Sequence, residues 1–116
     1  VTDEPLTPAV FVLLLALSAE QRHGYALISE VAELTNGLIQ LGPGTLYRSL
    51  QRMRVDGLIE ELADNTVAET TDRRAERRRN YRITQAGRIA ARAEARRLSV
   101  FLQAARQRGV FEPAFD

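Results

Sequence analysis

The stretch GPGTLYRSLQRMRVDGLIEEL, residues 42–62, constrains the fold more than any other part of the chain. Its spacing predicts a helix with one apolar face that runs at a glycine into a β-strand. Leu46, Leu50 and Met53 fall at i, i+4 and i+7, so on a helix they share one side. Thr45, Arg48, Gln51, Arg52 and Val55 fall roughly opposite. That outer face carries a hydroxyl, two guanidinium groups and an amide, the groups that read base edges and grip phosphates. Asp56-Gly57 ends the helix and Leu58 to Leu62 begins the strand. A helix exposing Thr, Arg and Gln that passes directly into a strand is what a winged helix-turn-helix requires.

At 116 residues the chain is expected to form one domain with a modest core. Its longest apolar run, AVFVLLLAL from Ala9 to Leu17, is shorter than the roughly 18–20 residues of a membrane span. Uncharged flanks and the lack of a small-residue cleavage site make it a buried helix rather than a signal peptide. With Cys 0 and His 1, disulfides and thiolate metal sites are excluded and a zinc site is disfavoured. No metal or cofactor is expected, and the cysteine-free composition fits the cytoplasm.

The net charge of +1 hides an asymmetry. Residues 1–35 sum to −4, residues 36–82 to +2 and residues 83–116 to +3. All 16 basic residues are Arg, a bias that genome composition could produce by itself. Any argument for nucleic acid therefore has to come from local clusters, not from bulk charge.

Thr7-Pro8 reads as a helix start, with Thr as N-cap and Pro in the first turn. The helix that follows is apolar all round and needs cover on both faces. Ser18 to His23 reads as a polar loop, and His23 as a loop or capping residue. Gly24 to Leu34 reads as a second helix, with Ala26, Leu27, Val31 and Leu34 at helical spacing, ended by Thr35-Asn36-Gly37. Leu38-Ile39-Gln40-Leu41 reads as a short strand before the Gly42-Pro43-Gly44 turn. Asn80 to Ile83 reads as a return strand with Tyr81 and Ile83 inward, making a hairpin with a long basic tip. Thr84 caps a last helix from Gln85 to about Arg108, on the order of 36 Å long. A domain this small cannot bury such a helix, so Ile89, Ala93, Leu98, Val100, Phe101, Leu102 and Ala105 point to a second chain.

In isolation Arg48 and Arg52 read as a solvated face, and Arg73, Arg74, Arg77, Arg78 and Arg79 as a solvated loop partly neutralised by Glu69, Asp72 and Glu76. Placed after a helix-turn-helix, the same residues read as a recognition helix and a phosphate or minor-groove arm. Tyr25 and Tyr47 each carry two readings, core or phosphate contact; the Tyr47 ring is placed so that its hydroxyl reaches outward. No catalytic constellation is present: the serines lack a local base, and Glu60-Glu61 alternate on a strand.

Three motifs resemble the PadR-like transcriptional regulators, named for a phenolic-acid repressor. HGYALISEV from His23 resembles the family's second helix, GPGTLYRSLQRMRVDGLIE from Gly42 its recognition helix, and YRITQAG from Tyr81 its return strand and entry to the last helix. The resemblance covers roughly residues 6–105 and is of the shorter subtype. It implies a mainly α, α+β winged helix-turn-helix: a three-helix core and β-hairpin wing over residues 6–84, a dimerisation helix over 85–109 and a tail over 110–116. It further implies a homodimeric repressor or regulator on an inverted-repeat operator in double-stranded DNA. By position, Thr45, Tyr47 and Arg48 match its DNA-contact stretch and Tyr25 a frequent phosphate contact, with Gln51, Arg52 and the wing arginines beside them.

Some members release DNA on binding an apolar or aromatic small molecule near the interface of the first and last helices. Phe11, Leu14, Leu98, Phe101 and Leu102 are the candidate lining here, with plain dimer packing as the competing reading. The chain departs from many members, whose wing tip is shorter and glycine-rich, in its long Arg/Glu-rich tip, and it has none of the Trp with which some members line the effector pocket. The rival function is a winged-helix protein-interaction module that never binds DNA; an enzyme is the weaker third.

Overall fold

The computed structural model describes residues 4–62 and 79–112. Among them run α1 (Pro8–Ala19), β1 (Arg22–His23), α2 (Gly24–Leu34), α3 (Pro43–Val55), β2 (Ile59–Leu62), β3 (Asn80–Ile83) and α4 (Gln85–Gln107). The fold is an α+β winged helix: helices pack around one core and a three-stranded antiparallel sheet of order β1-β3-β2 closes one side. The wing tip, with Arg73, Arg74, Arg77 and Arg78, lies outside the described residues.

α1 starts where Thr7 Oγ1 accepts the amide of Val10 at 3.2 Å, and Pro8 occupies the first turn, where a missing N–H costs nothing. Val12, Leu13, Leu14, Ala16 and Leu17 are buried, so this all-apolar helix is the centre of the core. α2 contributes Leu27 and Val31, and α3 contributes Leu46, Leu50 and Met53, the stripe expected from their spacing. Gly57 turns the chain from α3 into β2 at φ 78°, and the Leu58 amide reaches back to the Met53 carbonyl at 2.9 Å. Only a residue without Cβ takes that backbone conformation at no steric cost.

α4 is anchored at its first turn. Thr84 donates its hydroxyl to the Gly57 carbonyl at 2.6 Å and accepts the Gly87 amide at 3.0 Å. The Thr84 amide donates to the Leu58 carbonyl at 3.0 Å. Gly87 lies so close to β2 that a Cβ there would stand 2.1 Å from the Leu58 carbonyl oxygen. The buried face of α4 is Gly87, Ala91 and Glu94, small residues and one carboxylate. Glu94, 6% exposed, accepts the Leu6 amide at 3.0 Å and Arg97 at 2.8 Å, so its charge is paired and hydrogen-bonded. Beyond this point Leu98, Val100, Phe101 and Leu102 are exposed.

Two expectations are corrected. Leu38 to Leu41 forms no strand, and the third strand is instead Arg22–His23, in the segment read as a loop. The reason is local. Thr35 Oγ1 donates to the Val31 carbonyl at 2.9 Å and accepts the Ile39 amide at 3.0 Å, satisfying the chain by a side chain. Ile39 and Leu41 pack on the core singly, while Leu38 is 89% exposed. β1 gains its strand character from β3, with Arg22 opposite Tyr81 and His23 opposite Asn80.

Candidate nucleic-acid interface

α3 has two faces of opposite chemistry. Its inner stripe is buried, and Thr45, Arg48, Gln51, Arg52 and Val55 are all exposed on the outside. The Arg48 guanidinium lies 3.5 Å from Thr45 Oγ1, one turn back, and Arg52 Nε pairs with Asp56 at 3.3 Å. Both contacts are between exposed groups and worth at most about 1 kcal/mol, so neither fixes its arginine. Tyr25, 57% exposed, sits in the first turn of α2.

Tyr47 departs from expectation. Its hydroxyl oxygen is buried, turned inward rather than outward. The ring lies against Gly24, where a Cβ would come 3.0 Å from Cε1 and 3.5 Å from the hydroxyl. With Leu50, Gln51, Arg54, Glu61, Arg79 and Tyr81 it lines a cavity of about 260 Å³ between α3 and the root of the wing.

Glu61 is the centre of that cavity's charge. One carboxylate oxygen meets Arg54 Nη1 at 3.0 Å and the other meets Arg79 Nε at 3.4 Å. Its neighbour Glu60 pairs with Arg82 across the strands, on the opposite face of the sheet. Sequence reasoning placed Arg79 with the wing cluster and gave Arg54 and Glu61 no joint role, because a helix residue and a strand residue seven positions apart reveal no contact by spacing.

Burial, reinforced by the Glu61 carboxylate, pushes the Tyr81 phenol from its ordinary 10 up to about 12. The folded state therefore favours the protonated phenol. This contribution to stability is complete below pH 10 and is lost as pH rises from about 10 through about 12. Urea midpoints measured from pH 9 to 12 should fall more steeply in the parent than in Tyr81→Phe; parallel curves would show that the phenol does not report on folding.

The five residues read as a candidate effector lining are not alike. Leu14 is in the core, Phe11 is half-buried against it, and Leu98, Phe101 and Leu102 are exposed on α4. The open concavity on α4 is lined by Ser99, Val100, Gln103, Ala104 and Gln107. Among the described residues, no group of three or more His, Cys, Asp or Glu is placed to hold a metal, and no helix is long and apolar enough to cross a membrane.

Three helices, a three-stranded sheet and a polar outer face on the third helix define a winged helix-turn-helix. The sequence model of the transcriptional regulator PadR-like family matches residues 13–93, most of the chain. The chain belongs to this family of DNA-binding transcriptional regulators. Solved structures share the fold. A transcriptional regulator from Clostridium thermocellum is 20% identical, with TM-score 0.66 over 84% of this chain and 89% of that one. A PadR-like regulator from Bacillus cereus is 19% identical, with TM-score 0.67 over 90% and 93%. The PcaV transcriptional regulator from Streptomyces coelicolor, in complex with its natural ligand, is 24% identical, with TM-score 0.59 over 93% and 70%. A search of curated protein sequences finds no match.

Proposed function

We propose that the chain is a cytoplasmic repressor that binds an inverted-repeat operator as a homodimer. The observation that carries this reading is the exposed Thr45, Arg48, Gln51 and Arg52 face of α3, directly followed by the wing strands. Thr45, Arg48 and Gln51 read base edges from the N-terminal half of α3, and Arg52 and Tyr25 grip phosphates. Tyr47, with its hydroxyl inward, packs α3 against Gly24 at the start of α2. Arginines of the wing tip add a sequence-independent grip on the flanking backbone. A gel shift on the duplex upstream of the chain's own coding region tests the reading: a saturable, competitor-resistant complex is expected, and none would contradict it. The same assay separates this function from that of a protein-interaction module.

The dimer rests on α4. Leu98, Phe101 and Leu102, at i, i+3 and i+4, share one side of α4 and are exposed, an apolar face that a second copy covers. Phe101→Glu, 61% exposed in the single chain, places a charge in that contact. It should leave helix content intact, convert the dimer to a monomer in sedimentation velocity and weaken operator binding at least tenfold. An unchanged dimer would place the contact elsewhere. A small apolar or aromatic molecule seated between α1 and α4 is the proposed signal for release. A thermal-shift panel of aromatic acids and phenols tests it, and a raised melting temperature together with loss of the gel shift is the expected result.

A further inference from the structure

Glu61 ties the third helix to the root of the wing. The residue lies on β2 opposite Tyr81 of β3. Its Oε1 holds Arg54 of α3 at 3.0 Å, and its Oε2 holds Arg79, at the root of the wing, at 3.4 Å. Arg79 is fixed from behind as well, since its carbonyl accepts the Gly24 amide of α2 at 3.0 Å. The Glu61 side chain is largely covered, at 24% exposure, so its charge is only partly screened by water. One carboxylate thus occupies two guanidinium groups, and the trio carries one net positive charge instead of two.

We propose that Glu61 is a positioning residue for DNA binding that withholds Arg54 and Arg79 from phosphate and holds the wing root against the recognition helix. The inference rests on the DNA reading above and adds to it. Each arginine gives Glu61 one nitrogen, Arg54 Nη1 and Arg79 Nε, and stays nearly half exposed, at 46% and 44%, so what the carboxylate takes from a phosphate is that edge of each guanidinium and the charge it neutralises. Non-specific affinity comes from the number of phosphates neutralised, so keeping two arginines in reserve lowers binding to random DNA while leaving Arg48 and Gln51 to read the operator. The sheet separates this role from that of Glu60, whose partner Arg82 lies on the other face.

The test is the slope of log K against log salt on a random-sequence duplex, with parent, Glu61→Gln and Arg79→Gln. Glu61→Gln keeps the shape of the side chain and removes the charge. It should steepen the slope by about 0.9 for each arginine released and reduce the preference for operator over random DNA. Adding Arg54→Gln to Glu61→Gln should reverse at least part of the change. Arg79→Gln in the parent should alter the slope by less than half of that amount, because Arg79 is already occupied; this arm stands even if Glu61→Gln folds poorly. A Glu61→Gln slope equal to or shallower than the parent's, or a full 0.9 lost in Arg79→Gln, overturns the proposal. If the parent binds no DNA at all, the DNA reading itself fails and this inference with it, an outcome distinct from equal slopes in a parent that binds.

Discussion

Gly87→Ala is expected to destabilise the chain by roughly 3 kcal/mol or more, at the top of the range for overpacking. The added methyl would stand 2.1 Å from the Leu58 carbonyl oxygen and 2.8 Å from Ile83 Cγ1. Neither neighbour can yield cheaply. The Leu58 carbonyl accepts the Thr84 amide, and Ile83 is buried on β3. The junction that seats α4 on the wing strands would have to open, with loss of the Thr84 cap and its bond to Gly57. A drop in melting temperature on the order of 10 °C in a thermal scan is the expected reading. A variant as stable as the parent would show that α4 does not dock through this contact. Gly44→Ala is the natural control, because a Cβ there meets nothing within 4 Å.

Arg48→Ala should have the largest effect on recognition. Arg48 is exposed on α3 one turn after Thr45, and its guanidinium makes a long 3.5 Å contact with the Thr45 hydroxyl. A bidentate arginine–guanine contact discriminates by about 1–3 kcal/mol, so operator affinity should fall about 5- to 150-fold. Affinity for random DNA should fall far less, which distinguishes loss of base reading from loss of a phosphate contact. Circular dichroism and melting temperature should remain those of the parent. Equal losses on operator and random DNA would move Arg48 from the bases to the backbone.

Much of this fold is legible in the sequence. Leu46, Leu50 and Met53 identified the buried side of α3 because helical periodicity is a strong signal when the opposite face is polar throughout. Thr7, Thr84 and Gly57 marked helix boundaries because capping requires particular side chains and backbone angles. The exposed apolar run on α4 could be anticipated from length alone, since so long a helix cannot be covered by so few residues.

What escaped the sequence depends on contacts between distant segments. Arg22–His23 is a strand only because Asn80 and Tyr81 pair with it, and two residues have no periodicity to read. Leu38 to Leu41 looked like a strand by composition, but Thr35 satisfies the backbone that a ladder would otherwise have paired. The inward turn of the Tyr47 hydroxyl follows from the absence of a side chain at Gly24, on another helix. The Glu61 clamp joins Arg54 of α3, Glu61 of β2 and Arg79, the residue before β3. In each case the deciding partner lies on another element or is a hydrogen bond that composition does not encode.

Fluorescence anisotropy shows whether the outer face of α3 reads a specific DNA sequence. A labelled duplex from upstream of the chain's own coding region is titrated against the same length of random DNA at two salt concentrations. Two protomers per duplex are expected, with a preference for the upstream sequence of about 10³ or more and binding that weakens with salt on both duplexes. Equal affinity for the two duplexes, or no binding even at low salt, would contradict it.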